Sequence, residues 1–307
     1  MVYSGIRRVF AGILALISFF VNVTATPTKN ETPDDAYSVV YADTACGDLK
    51  LFLPETSDAK TPDVLLTIHG GAWVSGGAFI FYDDCRAAAK AGYIAAAMNY
   101  SKIFNGATAA DMVREIGLAI AALQAELDGR GIRYGKLILA GHSAGAHIML
   151  LYAYTHYADC PMDIAFVVSN CAPADFLSGA DKRESAVDWA AYLIVSGLTK
   201  EVVTPLTAGR NAEAIRAVSP VAQITPDVPP TIVVQGTQDK LVAYRNCVEL
   251  YNALQANGVD SVLITYTGAG HFLGSKGGEA VREKYAPYDA QRSAAFYAFA
   301  QKYGTSN

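Results

Sequence analysis

Lys136-Leu-Ile-Leu-Ala-Gly-His-Ser-Ala-Gly-Ala-His147 decides how this chain is read. Leu137 to Ala140 is an apolar run of strand length, Gly141-His142-Ser143-Ala144-Gly145 follows, and helix-period residues continue from Ala146 to Tyr157. The order is strand, tight turn, helix. Small residues on both sides of a serine let the backbone turn sharply enough to hold its hydroxyl out of the sheet. Ser143 is therefore the candidate nucleophile.

Outward from that stretch the pattern repeats. Tyr37 to Tyr41 and Leu49 to Leu53 read as an antiparallel opening pair joined near Gly47-Asp48. Val64 to Ile68, Tyr93 to Met98, Ile164 to Ser169, Thr231 to Gln235 and Ser261 to Tyr266 are further strands. Helices are expected around Ala87 to Ala91, over Ala109 to Leu127, Ile148 to Tyr154 and Tyr244 to Asn257, and over a closing segment from Ala290 to Tyr303. Strands without polar alternation, separated by helices, imply an α/β fold with a mostly parallel sheet covered on both faces. From Ala174 to Pro230 no strand is expected; helical pieces at Ala186 to Ile194 and Ala212 to Val218 suggest a small helical cap inserted over the sheet.

A serine hydroxyl needs a base within hydrogen-bond reach and a third group to orient that base. Of the five histidines, His142, His147 and His156 belong to the turn and its helix, and His69 opens His69-Gly70-Gly71-Ala72-Trp73. His271 instead sits in the glycine-rich loop Gly268-Ala269-Gly270-His271-Phe272, directly after the last core strand, and is the candidate base. Asp239 ends the turn Gly236-Thr237-Gln238-Asp239 at the carboxyl end of a strand, where open α/β sheets place their sites, and is the candidate orienting acid. Asp227, on a proline-rich loop, and Glu249, on a helix, lack that strand-end position. Acyl transfer develops a negative oxygen, and the amides of Gly70, Gly71 and Ala144 are the candidate oxyanion donors, since glycine leaves the backbone open to close approach. Trp73 either walls the pocket or fills core. This chemistry asks for no metal and no cofactor.

The chain has 307 residues, 52% of them hydrophobic and 17% charged, which is the composition of a well-cored globular protein. The formal charge is −5, which argues against a nucleic-acid partner. Arg7-Arg8, an apolar run from Phe10 to Val21 and small residues near Ala25 read as a secretory signal peptide over about residues 1–25, with residues 26–307 as the mature domain. The run is too short to span a bilayer, so no integral membrane span remains after cleavage. Export permits pairing among the five cysteines, of which Cys160 and Cys171 are the nearest in sequence, and their spacing matches no metal-site pattern. Asn30 and Asn99 carry glycosylation acceptor patterns, Asn30 in an accessible leader and Asn99 at the end of an apolar strand.

His69-Gly-Gly-Ala-Trp73, Gly141-His-Ser-Ala-Gly-Ala-His147, Ser219-Pro220, Gly236-Thr-Gln-Asp239 and Gly270-His271 together resemble the α/β-hydrolase superfamily. The branch they resemble holds hormone-sensitive-lipase-like and BD-FAE-type carboxylesterases and kynurenine formamidases. The resemblance covers roughly Val64 to the C-terminus and implies a secreted serine hydrolase acting on small-molecule or polysaccharide-linked esters, with Ser143, Asp239 and His271 as its triad. An amidase or formamidase of the same fold and a non-catalytic binding module are the alternatives. Two departures stand out: Ala72 replaces the third glycine of the family's HGGG, and Tyr100-Ser101 replaces a frequent Tyr-Arg, which removes a structural charge.

Overall fold

The computed structural model describes residues 33–44, 46–55, 61–177, 186–204 and 207–305. The expected signal segment and Asn30 lie outside them. Eight strands form one sheet: β1 (Tyr37–Val40), β2 (Asp48–Phe52), β3 (Val64–Ile68), β4 (Ile94–Met98), β5 (Leu137–His142), β6 (Ile164–Asn170), β7 (Thr231–Gly236) and β8 (Ser261–Tyr266). Their spatial order is β1-β2-β4-β3-β5-β6-β7-β8. β2 is antiparallel to both β1 and β4, and every other pairing is parallel.

The helices are α1 (Tyr82–Lys90), α2 (Ala109–Gly129), α3 (Ala144–Thr155), α4 (Ala186–Thr199), α5 (Ala212–Ala217), α6 (Arg245–Ala256) and α7 (Glu279–Tyr303). On one face of the sheet α2, α3 and α6 pack over Leu66, Leu139, Val167 and Val233. On the other, α7 covers Ile138, Phe166, Ile232 and Ile264, while α1 covers Ala95 and Ala97. Both faces of β3 and β4 are buried along their whole length, which is why their sequences are continuous apolar runs rather than alternating ones. The one hydroxyl among them, on Thr67, is satisfied by the Ala96 carbonyl at 3.1 Å.

α2 begins where Thr108 and Asp111 exchange capping bonds, and its stripe Met112, Ile116, Ile120, Leu123 and Leu127 is buried, so pattern and cap agree. α3 is different: every residue from Ala144 to Tyr154 is buried, so it has no polar face and the sheet, α2 and the chain before β7 enclose it. Among the described residues no strand lies between β6 and β7. There α4, α5 and a 3-10 turn (Pro220–Gln223) lean on the helical layer, with the Val221 amide donating to the Ala174 carbonyl at 3.0 Å.

Two expectations need correction. α7 starts eleven residues before Ala290 and runs through Pro287, which the periodicity reading treated as outside the helix. Proline lacks an amide and crowds the preceding turn, so it interrupts the helical signal even where the helix continues. All five cysteines are free thiols. Cys160 precedes β6 and Cys171 follows it, so a seven-residue strand holds them about 20 Å apart, far beyond disulfide reach.

Candidate active site

β5 runs on to His142 because Gly141 and His142 still pair with Ser169 and Asn170 of β6. Ser143 then takes φ 54° and ψ −123°, and α3 begins at the next residue. Such a conformation costs about 1–3 kcal/mol for a residue with a side chain. Two backbone bonds hold it: the Ser143 amide donates to the Asn170 carbonyl at 2.8 Å, and the Ser143 carbonyl accepts from the His147 amide at 3.0 Å. The flanking glycines are required by approach, not by rotation. A Cβ on Gly141 would lie 2.7 Å from the Ala146 backbone, and one on Gly145 would overlap the carbonyl oxygens of Ile68 and His69.

The Asp239 side chain is fully buried and saturated. Its Oδ1 accepts from the Leu241 and Val242 amides at 2.8 and 2.9 Å, and its Oδ2 from Gln235 Nε2 and His271 Nδ1, both at 2.7 Å. His271 Nδ1 therefore carries its hydrogen toward the carboxylate, and Nε2 is the nitrogen left to accept a proton. The His271 loop is tied to the serine turn itself: His142 Nε2 donates to the His271 carbonyl at 3.0 Å, and the two rings lie 4.8 Å apart. Burial, with the neighbouring His271 adding to it, pushes His142 down to about 4, so it is a neutral donor here.

The loop after β3 completes the arrangement. A Cβ on Gly70 would meet the His142 carbonyl at 3.0 Å and Ser143 Cβ at 3.2 Å, tighter than most real Cβ contacts, so glycine here lets the chain approach the serine without displacing it. Gly71, Ala72 and Trp73 follow with φ of 129°, 49° and 61°. Trp73 is core, not pocket wall: its indole donates to His147 Nδ1 at 3.1 Å, and its ring packs edge-on against His147 and near Phe176. His147 Nε2 donates onward to the Val218 carbonyl at 2.7 Å, joining the loop, α3 and the chain before β7. Among the described residues no backbone carbonyl accepts from the amides of Gly70, Gly71 or Ala144.

The structure thus brings Ser143, Asp239, His271, Gly70, Gly71 and Ala144 to the carboxyl ends of β3, β5, β7 and β8. The Asn99 amide is committed to Asp48 and to the Ala78 amide, in keeping with its expected inaccessibility. Sequence reading missed Gln235 and Asn170, whose signal was a polar residue closing an otherwise apolar strand. Asn170 Nδ2 binds the Gly141 carbonyl at 3.0 Å, bracing the turn from β6. Lys102, one residue past the Tyr100-Ser101 position, is buried. Donor atoms of His142, Cys171 and His271 lie within 4.8 Å of one another, a set soft enough for zinc. Burial holds the Cys171 thiol well above its usual range, which disfavours the thiolate that zinc takes as its ligand.

Known proteins carry the same architecture. Isoprenylcysteine alpha-carbonyl methylesterase ICME of Arabidopsis thaliana is 27% identical over 249 residues, 76% of this chain, and the chain spans 56% of that relative's length. Esterase B of Lactobacillus rhamnosis superposes with a TM-score of 0.70 at 17% identity, covering 98% of this chain and 96% of its own. A truncated carbohydrate esterase from gut microbiota superposes with a TM-score of 0.65 at 16% identity, over 87% of this chain and all of the esterase. The fold is that of the α/β-hydrolases. The BD-FAE family matches residues 49–254, from the second strand past the acid turn into α6, and the chain belongs to that family.

Proposed function

We propose that this chain is a serine hydrolase that cleaves carboxylic esters through an acyl-enzyme. Ser143 is the nucleophile, His271 the general base, Asp239 the acid that orients it, and Gly70, Gly71 and Ala144 supply the oxyanion hole. The observation that carries the reading is the 2.7 Å bond between buried Asp239 and His271 Nδ1, on a loop tied by His142 to the serine turn. Ser143 Oγ adds to the ester carbonyl carbon while its proton passes to His271 Nε2. The carbonyl electron pair collects on oxygen, where the three amides receive it; one such donor is worth roughly 100- to 1000-fold in rate. Collapse expels the alcohol, which takes the proton from His271. Water then repeats the cycle on the acyl-enzyme. Throughout, the Asp239 charge stabilises the imidazolium.

Substrates of this site are small-molecule or polysaccharide-linked esters, a reading supported by the methylesterase and carbohydrate esterase among its relatives. The chain from Ala174 to Pro230 acts as the cap that selects them. Export through a cleaved segment over residues 1–25 places the enzyme outside the cell; among the described residues no helix is long and apolar enough to cross a membrane. N-terminal sequencing of the protein recovered from culture medium tests that step: a start near residue 26 is expected, and an intact leader overturns it.

The assay is p-nitrophenyl acetate hydrolysis by wild type and Ser143→Ala, with fluorophosphonate labelling. Turnover and Ser143 labelling in wild type, both lost in the variant, are expected; wild-type activity in folded Ser143→Ala protein overturns the reading. A panel of longer-chain esters, acetylated xylan, methyl ferulate and N-formylkynurenine then ranks ester against amide substrates.

A further inference from the structure

Lys102 is 8% exposed and has no ion-pair partner among the described residues. Glu115, the carboxylate whose charge acts on Lys102, spends its oxygens on the amide and hydroxyl of Ser101, at 2.7 and 2.5 Å. The buried amine instead points at an imidazole: Lys102 Nζ lies 3.0 Å from His69 Nε2 and 3.6 Å from the centre of the Tyr100 ring. His69 is fully buried, stacked on Tyr100 at 4.4 Å, and its Nδ1 lies 2.6 Å from the Gly70 carbonyl. A carbonyl only accepts, so Nδ1 carries the hydrogen and Nε2 the lone pair that Lys102 fills.

The peptide joining Gly70 to Gly71 is planar and trans, so fixing its carbonyl fixes its N–H in the opposite direction. That N–H is one of the amides assigned above to the oxyanion. We propose that Lys102 is a positioning residue for the oxyanion hole: its bond to His69 Nε2 selects the Nδ1–H tautomer, and that tautomer aims the Gly71 amide. The inference rests on the hydrolase reading. Burying an amine is costly unless it is bonded, and this fold spends that cost on a single imidazole. Burial pushes the Lys102 amine down to about 7, but a neutral amine still has hydrogens to donate, so the relay survives its deprotonation.

Lys102→Met keeps the length and removes the donor. In wild type, nitrogen-15 NMR of His69 should show protonated Nδ1 and bare Nε2; in Lys102→Met the Nε2–H form should appear. In the variant kcat should fall about tenfold or more, short of losing a donor outright, with KM unchanged. A wild-type His69 carrying its proton on Nε2, or a folded Lys102→Met protein with wild-type kcat, overturns the proposal. The wild-type spectrum decides the relay even if the variant does not fold. It also needs no turnover: a wild-type protein that cleaves no ester sinks the hydrolase reading, while the tautomer still reports on Lys102.

Discussion

Replacing Asp239 with asparagine changes one oxygen for an amide nitrogen, and the surroundings dictate which. The Oδ1 side faces the Leu241 and Val242 amides, two fixed donors that have no alternative form. The Oδ2 side faces His271 Nδ1 and Gln235 Nε2, both of which can invert: the imidazole by changing tautomer, the glutamine by turning its amide. Gln235 Oε1 has no partner among the described residues and is free to take the new N–H. The asparagine oxygen therefore stays on the backbone and its NH2 faces His271, forcing the hydrogen onto Nε2. A base protonated at the nitrogen that faces the nucleophile cannot accept the serine proton, and kcat should fall about 10,000-fold. That is about 5.4 kcal/mol of barrier. Stability should fall by about 1–2 kcal/mol, because turning the Gln235 amide gives up its 3.0 Å bond to the Val242 carbonyl while the other bonds at the site are remade. Asp239→Ala makes the contrast, since it strands two buried backbone amides at about 1–3 kcal/mol each. Initial rates on p-nitrophenyl acetate and urea midpoints for both variants are the assay. An Asp239→Asn enzyme within tenfold of wild type, or one as unstable as Asp239→Ala, refutes the reasoning.

Gly145→Ala should destabilise by at least about 2 kcal/mol, since its methyl has only the Ile68 and His69 carbonyls to displace; a urea midpoint equal to wild type would contradict that. Leu139→Ala, in the middle of β5, should lose about 2–5 kcal/mol on chemical denaturation, whereas truncation of the exposed Phe104 should stay within about 0.5 kcal/mol. Burial holds both His142 and His147 at about 4, below the unfolded value near 6.5. Between those values the unfolded chain binds protons that the folded chain does not, so stability is full above about pH 6.5 and falls as pH drops toward 4. Thermal midpoints of wild type and His147→Phe across that window check this; the variant should show a shallower decline, and an unchanged slope removes His147 from the account.

Much of the molecule is written in local pattern. β3, β4 and β7 announce themselves because both their faces are buried, and the serine turn because crowding by Ala146 and the Ile68 carbonyl admits only glycine at positions 141 and 145. Strand-end position singles out Asp239 and His271. What stayed hidden is what depends on separation in space. Cys160 and Cys171 are the nearest cysteines along the chain, but the strand between them carries them to opposite ends of the sheet. Lys102 reads as an ordinary surface lysine until Tyr100 and His69 close around it. Gln235 looks like the polar tail of a strand until Asp239 folds back over it, and Pro287 conceals two and a half turns of helix.

The bond from His142 to the His271 carbonyl spans 129 positions of chain. During synthesis the serine turn leaves the ribosome long before β7, β8 and the base loop exist, at about 5–20 residues per second. In that interval His142 has no carbonyl to hold and Ser143 has no base. On the triad proposed above, the nascent protein is chemically silent: reactivity arrives only when the last strands have added to the edge of the sheet, so a chain cut before His271 carries a nucleophile that cannot act.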